Sequence, residues 1–261
     1  AKDRLSGFSS QYAGGRMLTS KGISRGKNDK ADAKDIALYA WRKKDELQPT
    51  KLNSAQTSEL RQLISLRDKL IKHRTAYKNS IKDLQDCYFE GETAFIRETH
   101  NKMIGHLNDQ IKQVEARMDT IIESTEAWKQ NFKLILTVRG VGPVIARYLI
   151  IFTENFTRFS SHRKFACYAG IAPFEYSSGS SVKGRTRVHP CANKQLKSLL
   201  NMAAMNAIQF PGEYKQYYLR RQKEGKNNMS TLNIIRNKLL ARIFAVVKRQ
   251  TPYVDIYKFA A

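Results

Sequence analysis

The sequence predicts a mostly α-helical protein, with a short helical N-terminal segment, a long antiparallel helical hairpin and a helical C-terminal domain. Three patterns carry that expectation. Apolar residues recur every seven positions over residues 54–128, NDKADAKDIALYAWRKK has helical periodicity, and helical stretches follow one another near the C-terminus with breaks at Pro211 and Gly225. A chain of 261 residues suffices for one large domain or two of ordinary size.

Residues 1–27 are rich in Gly, Ser and basic side chains, lack periodicity and read as irregular. A helix then starts with Asn28 as its N-cap and Asp29 in its first turn. In the hairpin, Leu63, Leu70, Tyr77 and Leu84 form one heptad series, with Leu60, Ile81 and Tyr88 on the adjoining stripe and Arg67 and Arg74 interrupting it. A second series runs Ile104, Leu107, Ile111, Val114, Met118, Ile121 and Trp128, with Thr125 its polar member, and Gly91 allows the reversal between the two. An antiparallel coiled-coil hairpin accounts for both. Such a stripe is core or partner seam and carries no chemistry.

Beyond Trp128 the pattern becomes compact and globular. FKLILTV leads into RGVGPVIARYLIIF, FACYAGIAPFEY, a Ser- and Gly-rich loop at 176–187, and helices over roughly 191–210, 212–224 and 229–249. The expected domains are 1–52, 53–128 and 129–261.

The formal net charge is +23, with an ordinary apolar fraction of 41%. A folded chain so charged self-repels unless a polyanion is present. Nucleic acid is the leading partner, because neutralised phosphates release counterions, and an anionic membrane surface is the rival. The most apolar run, LILTVRGVGPVIARYLIIF, is interrupted by Arg139, Gly140, Gly142, Pro143 and Arg147, so no spanning helix is expected. Cys87, Cys167 and Cys191 fit no zinc spacing and read as reduced thiols of a cytoplasmic protein. The five histidines share no ligand spacing either.

Three stretches could carry chemistry. In VRGVGPVIARYLI (138–150), Gly140 and Gly142 permit a tight turn and Pro143 suits the first helical position. With Arg139 and Arg147 nearby, the turn reads as a DNA-backbone cradle of helix-hairpin-helix type or as a plain turn between core helices. Asp29 and Asp32, three apart, share a helical face that continues through Ile36 and Ala40, which is expected to face a core. They could hold Mg²⁺ or simply complement the helix dipole. In YSSGSSVKGRTR (176–187), Ser177, Ser178, Ser180 and Ser181 stand among Lys183, Arg185 and Arg187. Those cations suit a phosphate and its transition state. A serine nucleophile also needs a base or metal, and Glu175 and His189 flank the run without marking either as the base.

The order KNDKADAKDIA, a long helical hairpin, then RGVGPVIA, FACYAGIAPFEYSSG and ANKQLKSLL resembles the DEDD-type insertion-sequence transposases that include the Piv invertase and the bridge-RNA-guided recombinases. The resemblance covers about residues 21–250. It implies a RuvC-like (RNase H-like) domain whose four acids bind Mg²⁺, Asp29 and Asp32 matching the last two. It also implies a C-terminal transposase domain whose serine attacks DNA. Ser178, immediately before Gly179, matches best, and Ser177 is next. Further implications are a guide (bridge) RNA as a partner and assembly into a dimer or tetramer on the hairpin. Asp3 is the only acid before Asp29, so residues 1–52 are expected to be the end of a RuvC-like domain whose strands lie upstream.

The expected function is Mg²⁺-assisted serine attack on a DNA phosphodiester followed by strand exchange, in the bacterial cytoplasm at the nucleoid. The alternative is a non-catalytic nucleic-acid-binding remnant that has lost the acidic quartet.

Overall fold

The computed structural model describes residues 29–45, 54–87, 93–178, 182–188 and 192–255. Among them are α1 (Asp29–Arg42), α2 (Ala55–Cys87), α3 (Ala94–Glu123), α4 (Glu126–Leu136), α5 (Pro143–Thr153), α6 (His162–Tyr168), β1 (Phe174–Ser178), β2 (Val182–Arg187), α7 (Lys194–Gln209), α8 (Glu213–Lys223) and α9 (Asn228–Arg249). The protein is mostly α-helical. Two compact units divide the chain at residue 54, α1 in the first and everything from Ala55 in the second.

Helix α1 has Asp29 and Asp32 in its first turn and Arg42 in its last, each sign where the helix dipole favours it. Ile36 and Trp41 are exposed, with Lys44 Nζ 5.2 Å from the Trp41 ring centroid. The stripe expected to face a core therefore lies open among the described residues. The expected cap at Asn28 and reversal at Gly91 fall outside them.

Helices α2 and α3 pair antiparallel, as the order of their cross-links requires. Glu59 meets Arg117 at 2.7 Å, Arg67 meets Glu115 at 2.6 Å, Arg74 meets Asn108 at 2.9 Å, and the Tyr77 and His100 ring centroids lie 5.2 Å apart. Arg67 and Arg74 interrupt the apolar stripe because each reaches across to a polar partner on α3. The seam is driest at one end, where Leu60, Ile64, Met118, Ile121 and Ile122 are buried in the same core as Ile135, Leu149, Ile150, Leu196, Leu239 and Ile243. The base of the hairpin is thus part of the wall of the C-terminal helical body.

Polar bolts cross this junction. The Arg147 guanidinium, 7% exposed, donates to both carboxylate oxygens of Asp119 at 2.7 Å and lies 3.1 Å from Glu115, which also binds Arg67. Desolvation by burial works against its charge, but Asp119 and Glu115 outweigh that and hold the guanidinium above its ordinary pKa. Beside it, the Tyr148 hydroxyl donates to Asp68, and Gln195 donates to Asp68 and, at 3.1 Å, to Tyr148. Burial first, and then the Asp68 carboxylate, pushes the Tyr148 phenol well above its ordinary range. Helices α2, α3, α5 and α7 are tied together by these two clusters.

The turn between α4 and α5 is clasped from within the fold. Gly140 has φ +88°, and a Cβ there would lie 2.7 Å from the Ala203 carbonyl and 2.8 Å from the Ala207 Cβ, both on α7. Arg139 donates to the Pro211 carbonyl and lies 3.6 Å from Asp255, while the Tyr253 amide donates to Thr137 Oγ1 at 2.9 Å. Arg139 and Arg147, expected to hold phosphate, are instead engaged by partners inside the fold. Gly140 is required by close packing on α7. Gly142 caps α5 with open space where a Cβ would stand.

After α5 the chain passes through three successive non-glycine residues of positive φ, Glu154 at 51°, Asn155 at 53° and Phe156 at 65°. Such residues cost on the order of 1 kcal/mol each and persist only when their surroundings fix them. Here Glu154 pairs with Arg61 at 2.8 Å, Asn155 accepts from Asn131 at 2.8 Å, and the Phe156 and Phe244 ring centroids are 4.9 Å apart. Three helices thus hold the turn.

The Ser- and Gly-rich stretch differs from the expected loop. Strands β1 and β2 form an antiparallel hairpin in which Phe174 pairs with Arg187, Tyr176 with Gly184, Ser177 with Lys183 and Ser178 with Val182, with an irregularity between Phe174 and Tyr176. The alternation of Lys183, Arg185 and Arg187 is the period of a strand.

Two outcomes follow for stability in denaturant unfolding. Gly140→Ala should lose roughly 2–3 kcal/mol through strain and overpacking, whereas Gly142→Ala should remain within about 0.5 kcal/mol of the parent. Arg147→Ala, by stranding Asp119 and Glu115, should lose about 3 kcal/mol. A wild-type midpoint for Arg147→Ala would contradict the bolt.

Candidate nucleic-acid interface

The serine hairpin grows from a scaffold of α6 and α7. Ser161 caps α6, its Oγ accepting from the Lys164 amide at 3.4 Å, and Asn193 caps α7, its Oδ1 accepting from the Gln195 and Leu196 amides at 3.1 Å. The two helices are tied end to start, because the Asn193 amide donates to the Tyr168 carbonyl at 2.9 Å. Gly170, with φ +69°, closes the joint, and a Cβ there would lie 2.8 Å from the Ala192 Cβ and 3.3 Å from Val188 Cγ1. The connection from Ile171 to β1 is held from the other side, where the Ile171 carbonyl accepts from Asn233 at 2.9 Å and Asn237 at 3.1 Å. Both ends of the hairpin therefore leave one rigid platform.

On the hairpin itself the register separates the two candidate serines. Residues opposite one another in an antiparallel pair share a face. Ser177 stands opposite Lys183, the first of three alternate basic positions that continue through Arg185 and Arg187. Ser178 stands opposite Val182, at the last paired position before the tip. The tip, with Gly179, Ser180 and Ser181, and His189 beyond β2 lie outside the described residues.

The remaining expected residues fall elsewhere. Arg147 is buried in the helical body, Arg139 and Gly140 are half-buried in the clasped turn, and Gly142 opens α5 at its edge. Asp29 and Asp32 are exposed on α1, in the other compact unit. No group of three or more His, Cys, Asp or Glu able to hold a metal occurs among the described residues. Cys167 is a half-buried free thiol. No helix among the described residues is long and apolar enough to cross a membrane.

Two features escaped the sequence reading. Arg158 is exposed and stacks over both Phe159 and Tyr168, its Cζ 5.4 and 5.3 Å from their centroids. It is placed there by the left-handed turn, whose conformation no local motif announces. The Asp68, Tyr148 and Gln195 cluster joins residues far apart in sequence, and only the folded chain assembles it.

Comparison with known proteins matches residues 132–219 to the family described as "Transposase IS116/IS110/IS902 family" and residues 15–90 to a second transposase family of the IS110 DEDD type. The first match contains the hairpin and its platform, and the second contains all of α1 and α2. Among similar proteins, the pilin gene-inverting protein of Moraxella lacunata is 26% identical over 233 residues, covering 88% of this chain and 68% of that protein. A transposase for insertion sequence element IS1111A of Coxiella burnetii is 23% identical over 88% of this chain and 69% of its own length. An insertion element IS110 protein of Streptomyces coelicolor is 25% identical over 56% of this chain, which spans 35% of it. Two matches in the same order, one on each side of the hairpin's far end, and relatives that agree with both, make the chain similar over most of its length to insertion-sequence transposases of the IS110/IS116 family.

Proposed function

We propose that the protein is a DNA transposase or site-specific recombinase in which Ser178 is the nucleophile, with Ser177 the second candidate. The observation that supports this most directly is the serine hairpin on its α6–α7 platform, inside the stretch similar to IS110-type transposases. The serine Oγ attacks a DNA phosphorus, a phosphoserine ester forms, and the P–O bond to one strand breaks, releasing a strand end with a free hydroxyl. The hydroxyl of a second strand then attacks the phosphoserine, restoring a phosphodiester and freeing the serine. No water or nucleotide enters the balance, and the energy of the first bond is kept for the second.

Lys183, Arg185 and Arg187 would neutralise the phosphate whose charge grows in the transition state. Asp29 and Asp32 would be ligands for Mg²⁺. Two hard carboxylates in one helical turn fit that ion, which takes one or two carboxylates and fills its remaining positions with water and phosphate oxygens. When bound, the ion would supply charge neutralisation at phosphate oxygen.

In this reading residues 1–52 are the end of a RuvC-like domain, α2 and α3 form a coiled coil over 53–128, and 129–261 is the transposase domain, α4 and α5 being its helix-hairpin-helix-like element. Copies assemble as a dimer or tetramer on the coiled coil. Phe95, 80% exposed, and its neighbours Ile96 and Met103 offer apolar area for that contact. A guide RNA is a further partner under the same reading.

The test is incubation of the purified protein with duplex DNA carrying the ends of its own element, followed by denaturing electrophoresis and mass spectrometry of the linked peptide. The parent should form a covalent adduct at Ser178, and Ser178→Ala should lose it. An adduct that survives in Ser178→Ala but not in Ser177→Ala would move the nucleophile by one residue and to the other face of the hairpin. Asp32→Ala should reduce adduct formation at least 100-fold, about 2.7 kcal/mol in barrier, and chelation of divalent ions should do the same to the parent. DNA binding with no adduct under any metal would favour the non-catalytic reading.

A further inference from the structure

Arg139 and Arg147 are engaged by partners within the fold, and the structure offers further cations beside those of the hairpin. From Asn155 to Gly212 the sequence contains eight Lys and Arg residues and one acid, Glu175. Three of the eight stand on β2. The other five are Arg158, Arg163, Lys164, Lys194 and Lys197, all exposed and without a carboxylate partner among the described residues. Elsewhere some exposed arginines, Arg117, Arg220 and Arg242, each have a carboxylate within 4 Å.

These cations are gathered, not scattered. Arg158 lies 5.3 Å above the Tyr168 ring, and the carbonyl of that same Tyr168 receives the Asn193 amide at 2.9 Å. Lys194 follows Asn193 directly. The stem of Lys197 passes over Gly170, its Cδ 3.8 Å from where a Cβ would stand. Arg158, Lys194 and Lys197 therefore surround the joint between α6 and α7, and Arg163 and Lys164 extend the charge to the start of α6. The left-handed turn at 154–156 delivers Arg158 to this place, which gives its strain a purpose.

We propose that Arg158, Lys194 and Lys197 form a phosphate-binding face that holds the backbone of duplex DNA at the root of the serine hairpin. The inference rests on the reading that the chain acts on DNA. Position supports it, because β1 begins four residues beyond Gly170 and Ser178 lies four residues further, about 13 Å along the strand. Duplex DNA fits better than RNA because the rings at the joint, Phe159 and Tyr168, are packed on one another and capped by Arg158. They offer no free platform for splayed bases, the usual means of sequence-specific RNA recognition. What remains is charge, which recognises backbone.

The test uses the full chain and follows binding of unrelated duplex sequences by fluorescence anisotropy across a salt titration. Each phosphate contact adds about 0.9 to the slope of log K against log salt. Lys194→Ala with Lys197→Ala should lower that slope by about 1.8 on every duplex, while Lys194→Arg with Lys197→Arg should leave it unchanged. Arg158→Ala should remove about another 0.9. Both lysines are exposed and unpaired, so thermal melting should match the parent. A wild-type slope in the double alanine variant overturns the proposal, and so does a slope that falls only on structured RNA. A lowered slope in a protein that never forms a serine adduct upholds this face and removes the catalytic reading. An adduct-forming protein with an unchanged slope does the reverse.

Discussion

Arg147 carries a full charge into the junction between the hairpin and the helical body, and the surrounding packing is arranged to accept it. A buried guanidinium stays ionised at the cost of its hydration, and that cost is recovered only with close, directional partners. Asp119 supplies a two-bond grip and Glu115 a shared contact with Arg67, so α3 is fixed against α5 in register as well as distance. At the next residue, Tyr148 and Asp68 repeat the arrangement between α5 and α2, and Gln195 brings in α7. Apolar burial supplies most of the cohesion here, but it tolerates sliding. The ion pair and the carboxylate-centred cluster set one arrangement. Gln195 lies two residues after the Asn193 cap, so the hairpin's position bears directly on the platform that carries the serines.

Much of the helical content was legible because its determinants are local. The heptads of α2 and α3 predict a hairpin, and Leu107, Ile111, Val114, Met118 and Ile121 are indeed buried. The helices around Pro211 and Gly225 end within a few residues of expectation. Arg67 and Arg74 were visible as interruptions, though their partners on α3 were not. The β-hairpin was obscured by composition. Ser and Gly read as loop, and the alternation of Lys183, Arg185 and Arg187 reads as charge density as readily as strand period.

The candidate site was less legible, and for a physical reason. A basic residue beside a glycine turn looks the same in sequence whether it meets a phosphate or a carboxylate of its own chain. Asp119 is 28 residues from Arg147, and Asp255 is 116 from Arg139, so only folding decides which they meet. The same sorting leaves other cations outside. Of a formal charge of +23, part neutralises acids across helix junctions, and part stays unpaired around the α6–α7 joint. The interior share fixes the geometry of the body, and the exposed share gives it an electrostatic direction.

The clasp on the α4–α5 turn has a temporal side. Thr137 and Arg139 are held by Tyr253 and Asp255, and Gln250, itself in the left-handed region, donates to Asn131 at 2.8 Å. Chains leave the ribosome from the N-terminus at about 5–20 residues per second. The turn at 137–140 is therefore synthesised well before the residues that fasten it, and during that interval α4 and α5 lack their latch. These later residues complete a joint whose other half was made well before them, so the body closes only after translation has passed residue 255.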